Sequence, residues 1–222
     1  MVETDEEQLE VLKKWWDENG TYTLTTVVLV LGGIFGFRAW EENVKENAEA
    51  ASSAYENLVQ ATSNLEDENL RTTALSIGKQ LKTEHDDSAY AIFAAMHLAR
   101  IAVEKNDFVK AQAELEWVIE QKPDRHLETI ALMRLARVLM AKDDPSAAMI
   151  KLLNHVPAQA QQASWQEVKG DVFVLLGDNV KARQAYQLAL ENLDAERSRP
   201  LLELKLADIP VSSELPESEE EV

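Results

Sequence analysis

The side chains that most often carry chemistry are sparse in this sequence and stand apart from one another. The four histidines, His85, His97, His126 and His155, show no H-x-x-x-H spacing and no carboxylate at ligand spacing, so no metal set is legible. The absence of cysteine removes disulfides, thiolate nucleophiles and Cys-ligated zinc together, and leaves the redox compartment open. The adjacent glycines Gly32-Gly33 lie in an apolar run, where they cannot form a phosphate-cradling loop. Forty carboxylates offer many acid–base pairs and single out none. Asp86-Asp87 and Asp143-Asp144 fall at expected helix junctions, where carboxylates cap orphan N–H groups and meet the positive end of the helix dipole. The sequence therefore predicts no catalytic, cofactor or metal site. What remains is a small set of cations, His97, Arg100, Arg134 and Arg137, as the candidate lining of a protein-binding groove. Arg100 and Arg137 could hold carboxylates or backbone carbonyls. The competing reading is solvated arginines paired with neighbouring acids.

Composition narrows the elements that could position these groups. Seven glycines and six prolines in 222 residues are few for an all-β chain, which draws on both for its turns. Long stretches of Ala, Leu, Glu and Gln favour helices instead. A net charge of −18 repels phosphate backbones and anionic headgroups, so no nucleic-acid partner is expected.

One segment sets the class. Thr21–Phe37 reads TYTLTTVVLVLGGIFGF, without a charge, and Thr21–Trp40 as a helix would span about 30 Å, the thickness of a hydrocarbon core. Tyr22 and Trp40 stand near its ends, and Trp15 and Trp16 just outside, at interfacial depth. The rival readings are a buried helix of a soluble fold and a cleavable signal peptide. Residues 1–20 carry seven acids against Lys13 and Lys14, the reverse of a signal peptide's basic start, so an uncleaved anchor is expected. Gly32 and Gly36, with Gly33 beside them, make a G-x-x-x-G stripe suited to close packing of another membrane helix. Thr4–Glu7 has capping-box form and Asn19-Gly20 is a stop signal, so a separate short amphipathic helix is expected before the span. Basic residues flank the span two on each side (Lys13 and Lys14, Arg38 and Lys45), and charge alone leaves its orientation tied.

Beyond the span the chain repeats. Leu98-Ala99-Arg100 returns as Leu135-Ala136-Arg137 at an offset of 37, and Gly170 follows Ala136 by 34. The second-helix alanines Ala111, Ala148 and Ala182 keep the same 37 and 34, as do the turns at Asn106-Asp107, Asp143-Asp144 and Gly177-Asp178. This is the tetratricopeptide pattern, a pair of helices crossing closely at small residues. The signature tryptophan is replaced by Ala95 and Leu132. Asp171 stands where the third copy would place an arginine, so no continuous basic clamp is expected. An earlier pair near Ala51–Ala61 and Arg71–Thr83 would be a degenerate first repeat, and a helix near Ala195–Leu206 a cap. Ser212–Val222 holds five glutamates and no base, and reads as a solvated tail. The expected architecture is all-α: an amphipathic tail (1–20), a transmembrane helix (21–40), a tetratricopeptide-like repeat superhelix (41–211) and an acidic disordered tail (212–222).

Trp15-Trp16-Asp17-Glu18-Asn19-Gly20, a single glycine-bearing span, Arg38-Ala39-Trp40, Ala54-Tyr55, Leu135-Ala136-Arg137 and Gly177-Asp178 follow in an order that resembles the YfgM family, ancillary subunits of the bacterial Sec translocon, to about residue 207. The resemblance implies an inner-membrane protein with its N-terminus in the cytoplasm and its repeats in the periplasm. It implies three partners: the SecYEG translocon, the membrane-anchored periplasmic chaperone PpiD and exported client polypeptides. The acidic tail lies outside the family pattern, and no binding residue is carried over. The expectation is a non-catalytic, chaperone-like scaffold that assists export and periplasmic folding. The alternative is a cytoplasm-facing adaptor that recruits a soluble regulator to the membrane.

Overall fold

The computed structural model describes residues 5–193 and 199–210, which divide into two compact units between Ser52 and Ser53. Among the described residues every regular element is helical, with no strand. The α-helices are α1 (Asp5–Ala61), α2 (Glu68–Glu84), α3 (Ala89–Glu104), α4 (Phe108–Glu120), α5 (Arg125–Ala141), α6 (Pro145–Leu153), α7 (Gln162–Leu175), α8 (Asn179–Glu191) and α9 (Pro200–Asp208).

Helix α1 corrects one expectation, because it runs unbroken through Asn19-Gly20. A glycine within a helix costs about 1 kcal/mol relative to alanine, too little to end a long helix when neighbours supply compensation. Here Asn19 Nδ2 donates back to the Trp15 carbonyl at 3.2 Å, and the Trp16 indole lies 3.1 Å from where a Gly20 Cβ would stand. The hydroxyls of Thr23, Thr25 and Thr26 donate to carbonyls four residues earlier at 2.8–3.0 Å, so they reach the apolar stretch already satisfied. That stretch averages a mean hydropathy of 1.6 over 18 residues, long and apolar enough to cross a membrane, with only 6% of it buried. A core helix of a soluble fold would be covered, whereas Leu24, Leu29 and Phe35 are exposed. The Cβ positions of Gly32, Gly33 and Gly36 meet nothing within 4 Å, leaving the stripe open along its length.

In the second unit the periodicity read from sequence becomes geometry. Helix α2 packs against α3, and the repeating pairs that follow are α3 with α4, α5 with α6 and α7 with α8, with α9 last against α8. These three pairs turn in the same way. Asn106, Asp143 and Gly177 take φ of 56°, 59° and 75°, the left-handed conformation that Asn, Asp and Gly tolerate best. The next N–H in each case reaches back five residues: Asp107 to Ala102 O, Asp144 to Leu139 O and Asp178 to Phe173 O, at 2.8–3.0 Å. That same aspartate then caps the second helix, accepting from Lys110 N, Ala147 N and Lys181 N. Each such cap stabilises its helix by about 1 kcal/mol. Of the expected acid-pair caps, Asp144 serves, but α3 is capped by the Ser88 hydroxyl rather than by Asp86-Asp87.

The helix pairs close over small residues. Ala99, Ala136 and Gly170 are the crossing positions, and Leu115, Leu152 and Tyr186 are their equivalents on the second helices. All of these except Gly170 are buried hydrophobic residues of the core. A Cβ on Gly170 would run into the Tyr186 ring, so the third pair exchanges alanine for glycine where it exchanges leucine for tyrosine.

A partly buried ionic clasp holds the last helix. Lys205 Nζ donates to Glu167 Oε1 at 3.0 Å and to Asp171 Oδ1 at 2.7 Å, and Tyr186 Oη donates to the same Asp171 oxygen at 2.8 Å. Arg199 Nη2 lies 2.9 Å from Glu167 Oε2, an ion pair without hydrogen-bond alignment. Burial opposes the Lys205 charge, but the bonds to Asp171 and Glu167 outweigh it and hold the ammonium above the usual lysine range. Helix α9 starts at Pro200, which occupies its first turn where a missing N–H costs nothing; the predicted start at Ala195 falls outside the described residues.

Gly170→Ala tests the crossing directly. Helix propensity favours alanine by about 1 kcal/mol, whereas overpacking against Tyr186 costs about 1–3 kcal/mol. The expected result is a lower Tm for the full chain, by about 2–4 °C per kcal/mol, with a smaller loss in a Tyr186→Leu background. A rise in Tm would mean that the ring yields freely.

Candidate functional site

The four candidate residues come together. His97, Arg100, Arg134 and Arg137 all line one open groove of ≈ 750 Å³ built from the end of α1, from α3 and α4, and from α5. Helical spacing puts them there: Phe93, His97 and Arg100 share one face of α3, and Ile130, Arg134 and Arg137 the same face of α5. The two triplets are related residue by residue by the repeat offset of 37. Sequence reasoning missed the apolar half of the groove, although the signal was present at Phe93 and Ile130 in that offset. Tyr55 from α1 completes it, with its ring 5.7 Å from Phe93 and 5.9 Å from the His97 ring.

The electrostatics are unusual for so acidic a chain. Three arginines face a single acid in the groove, Glu104, a local charge of +2 in a protein whose total is −18. Arg100 Nε donates to Glu104 at 2.9 Å, an exposed pair one helical turn apart that contributes about 0.3–0.5 kcal/mol. Among the described residues, Arg134 and Arg137 have no ion-pair partner. Desolvation and then the neighbouring Arg137 charge lower the Arg134 pKa, yet an arginine stays protonated at physiological pH. His97 is half-buried and its Nδ1 has no hydrogen-bond partner. Burial, followed by the charges of Arg100 and Arg134, pushes its pKa down, so the ring is neutral at pH 7.

The environment of His155 is structural. Among the described residues no group of three or more His, Asp or Glu is placed to hold a metal. His155 Nε2 lies 2.9 Å from the buried Thr129 hydroxyl, which donates to Arg125 O at 2.7 Å and accepts from Ala158 N at 3.2 Å. This knot pins the α6–α7 connection to α5. The basic face ends at α7, where Asp171 belongs to the Lys205 clasp, as expected of a discontinuous set.

Known proteins agree with the repeat geometry. The tetratricopeptide repeat-like domain matches residues 13–211. The chain belongs to that family. Its curated relatives include the ancillary SecYEG translocon subunit of Haemophilus influenzae, 29% identical over 94% of this chain and 97% of that protein. The subunit of the same name from Aggregatibacter actinomycetemcomitans is 29% identical over 92% and 97%. That of Escherichia coli is 25% identical over 95% and 99%. The likeness to the YfgM family, drawn above from Trp15–Gly20 and Arg38–Trp40, therefore extends over nearly the entire chain. No solved structure matches it.

His97 makes the family groove pH-sensitive in a predictable direction. Its folded pKa lies below the unfolded value of about 6.5, so the folded state binds fewer protons between the two. The stability it contributes is complete above the unfolded pKa and is lost as pH falls toward the folded one. Thermal unfolding of the full chain between pH 5 and 7 should show a shallower acid-side loss for His97→Gln than for the wild type. Parallel curves would contradict the assignment.

Proposed function

We propose that this chain is a membrane-anchored protein-binding scaffold of the bacterial Sec translocon. In this reading residues 21–40 span the inner membrane, residues 1–20 lie in the cytoplasm and the repeats (41–211) stand in the periplasm. The glycine stripe at Gly32, Gly33 and Gly36 packs against a membrane partner, and the groove takes segments of exported polypeptides as they leave the channel. A PpiD-type chaperone anchored in the same membrane is a second partner. The work is binding, with no turnover chemistry.

The observation that carries the proposal is the open, apolar and cationic groove in a chain matched from end to end by ancillary translocon subunits. The exposed apolar stretch of α1 supports the anchor, since contiguous apolar surface of that extent is a liability in water. Anchoring gives weak contacts a high effective concentration, so neither the span nor the groove has to bind tightly alone.

A C-terminally tagged full chain tests both halves of the reading. Protease added to intact spheroplasts should remove the tag, and mild-detergent purification should bring down SecYEG subunits and a PpiD-type chaperone. A tag that is protected until the membrane is dissolved would favour the cytoplasm-facing adaptor. Purification without either partner would remove the translocon role.

A further inference from the structure

We infer that the groove selects internal, extended polypeptide segments in which large apolar side chains flank an acidic one, with the carboxylate held by Arg134 and Arg137. This deepens the reading of the groove as a polypeptide site and rests on it. Three observations converge. The apolar wall of Tyr55, Phe93 and Ile130 lies beside the two arginines, so a segment placing aromatic or aliphatic groups on the wall brings its next side chain to the guanidinium groups. Neither arginine has an acid partner among the described residues, although the chain holds 40 acids to 22 bases. The His97 Nδ1 is buried without a partner in the same cavity, a polar atom still to be satisfied.

Energetics favour a carboxylate over a neutral group. Arg134 lies beside the like charge of Arg137, and a bound carboxylate offsets that repulsion. Paired guanidinium–carboxylate bonds are roughly twice as strong as neutral ones and are directional. The groove is open, so a bound segment need not end within it. Arg100 and Glu104 at its edge also line a second, polar cavity of ≈ 590 Å³ that leads to the α1–α2 loop. An open groove suits an internal segment, and the weak, exposed Arg100–Glu104 pair at its edge can yield to a chain that continues beyond it.

The test uses the full chain in phosphatidylcholine nanodiscs and fluorescence anisotropy. The probes are acetylated, amidated dodecapeptides with two phenylalanines and two leucines around a central Glu-Glu, Gln-Gln or Lys-Lys. The Glu peptide should bind at least about tenfold more tightly than the Gln peptide, and the Lys peptide most weakly. That preference should collapse in the Arg134→Gln/Arg137→Gln variant, with the Gln peptide still bound, and should shrink in high salt. Equal binding of Glu and Gln peptides, or a preference that survives the double variant, overturns the selectivity and leaves the groove reading standing. Loss of binding for all three peptides overturns the groove reading itself. A Gln peptide that tightens only when its C-terminus is left free would assign the arginines to a terminal carboxylate and overturn the internal-segment inference.

Discussion

The close crossing of paired helices at Ala99, Ala136 and Gly170 is the constraint on which the soluble architecture depends. Small residues there let the second helix of each pair approach, and the residue facing them sets how small they must be. Ala99 and Ala136 pack in one core with Leu115 and Leu152, whereas the ring of Tyr186 leaves no room for a methyl group at Gly170. Once the crossings are fixed, the aspartate-capped turns at Asp107, Asp144 and Asp178 follow at matching offsets. First helices then present corresponding faces to a shared concavity. The groove is a consequence of that repetition, because its two triplets are the same face of α3 and α5 seen one repeat apart.

Charge is distributed unevenly over this scaffold, and the unevenness separates structural from available groups. The half-buried cations are committed: Lys205 to Glu167 and Asp171, Lys82 to Glu114 at 2.5 Å, and Arg183 to the Ile209 carbonyl at 2.5 Å. Breaking such a partly buried pair would strand its partner in low dielectric. Arg134 and Arg137 are different, since they are exposed toward the groove and no acid neutralises them within the described residues. In a chain of net charge −18, two adjacent unneutralised guanidinium groups over an apolar floor form the most distinctive polar surface of the groove.

Much of this was legible from the sequence because local chemistry and global periodicity agree. Offsets of 37 and 34 gave the helix pairs, their turns and the equivalence of Arg100 with Arg137. Of the acid pairs read as caps, Asp144 serves and Asp86-Asp87 do not, while Asp107 and Asp178 were legible only as turn residues. What escaped depended on tertiary contact. Asn19-Gly20 carries a helix-stop signature, but the Trp16 indole over Gly20 and the continuation of α1 override it. The clasp of Glu167, Asp171, Tyr186 and Lys205 joins residues up to 38 positions apart and follows no local motif. His155 looked isolated in sequence because its partner, Thr129, lies 26 residues away on a helix that the loop folds back to meet. Phe93 and Ile130 resembled ordinary core positions until the open side of the stack left them half-buried.

An apolar stretch long enough to cross a membrane, a repeat stack and a cationic groove are the features on which the proposed polypeptide-binding role rests. The most direct measurement is photo-crosslinking in living cells from a benzoyl-phenylalanine placed at Ile130 inside the groove, compared with one at the exposed Val156 on the α6–α7 connection. The account predicts that Ile130 traps newly exported chains while their synthesis continues and that Val156 does not. Equal trapping from both positions, or none from Ile130 while the protein remains folded and membrane-bound, would contradict it.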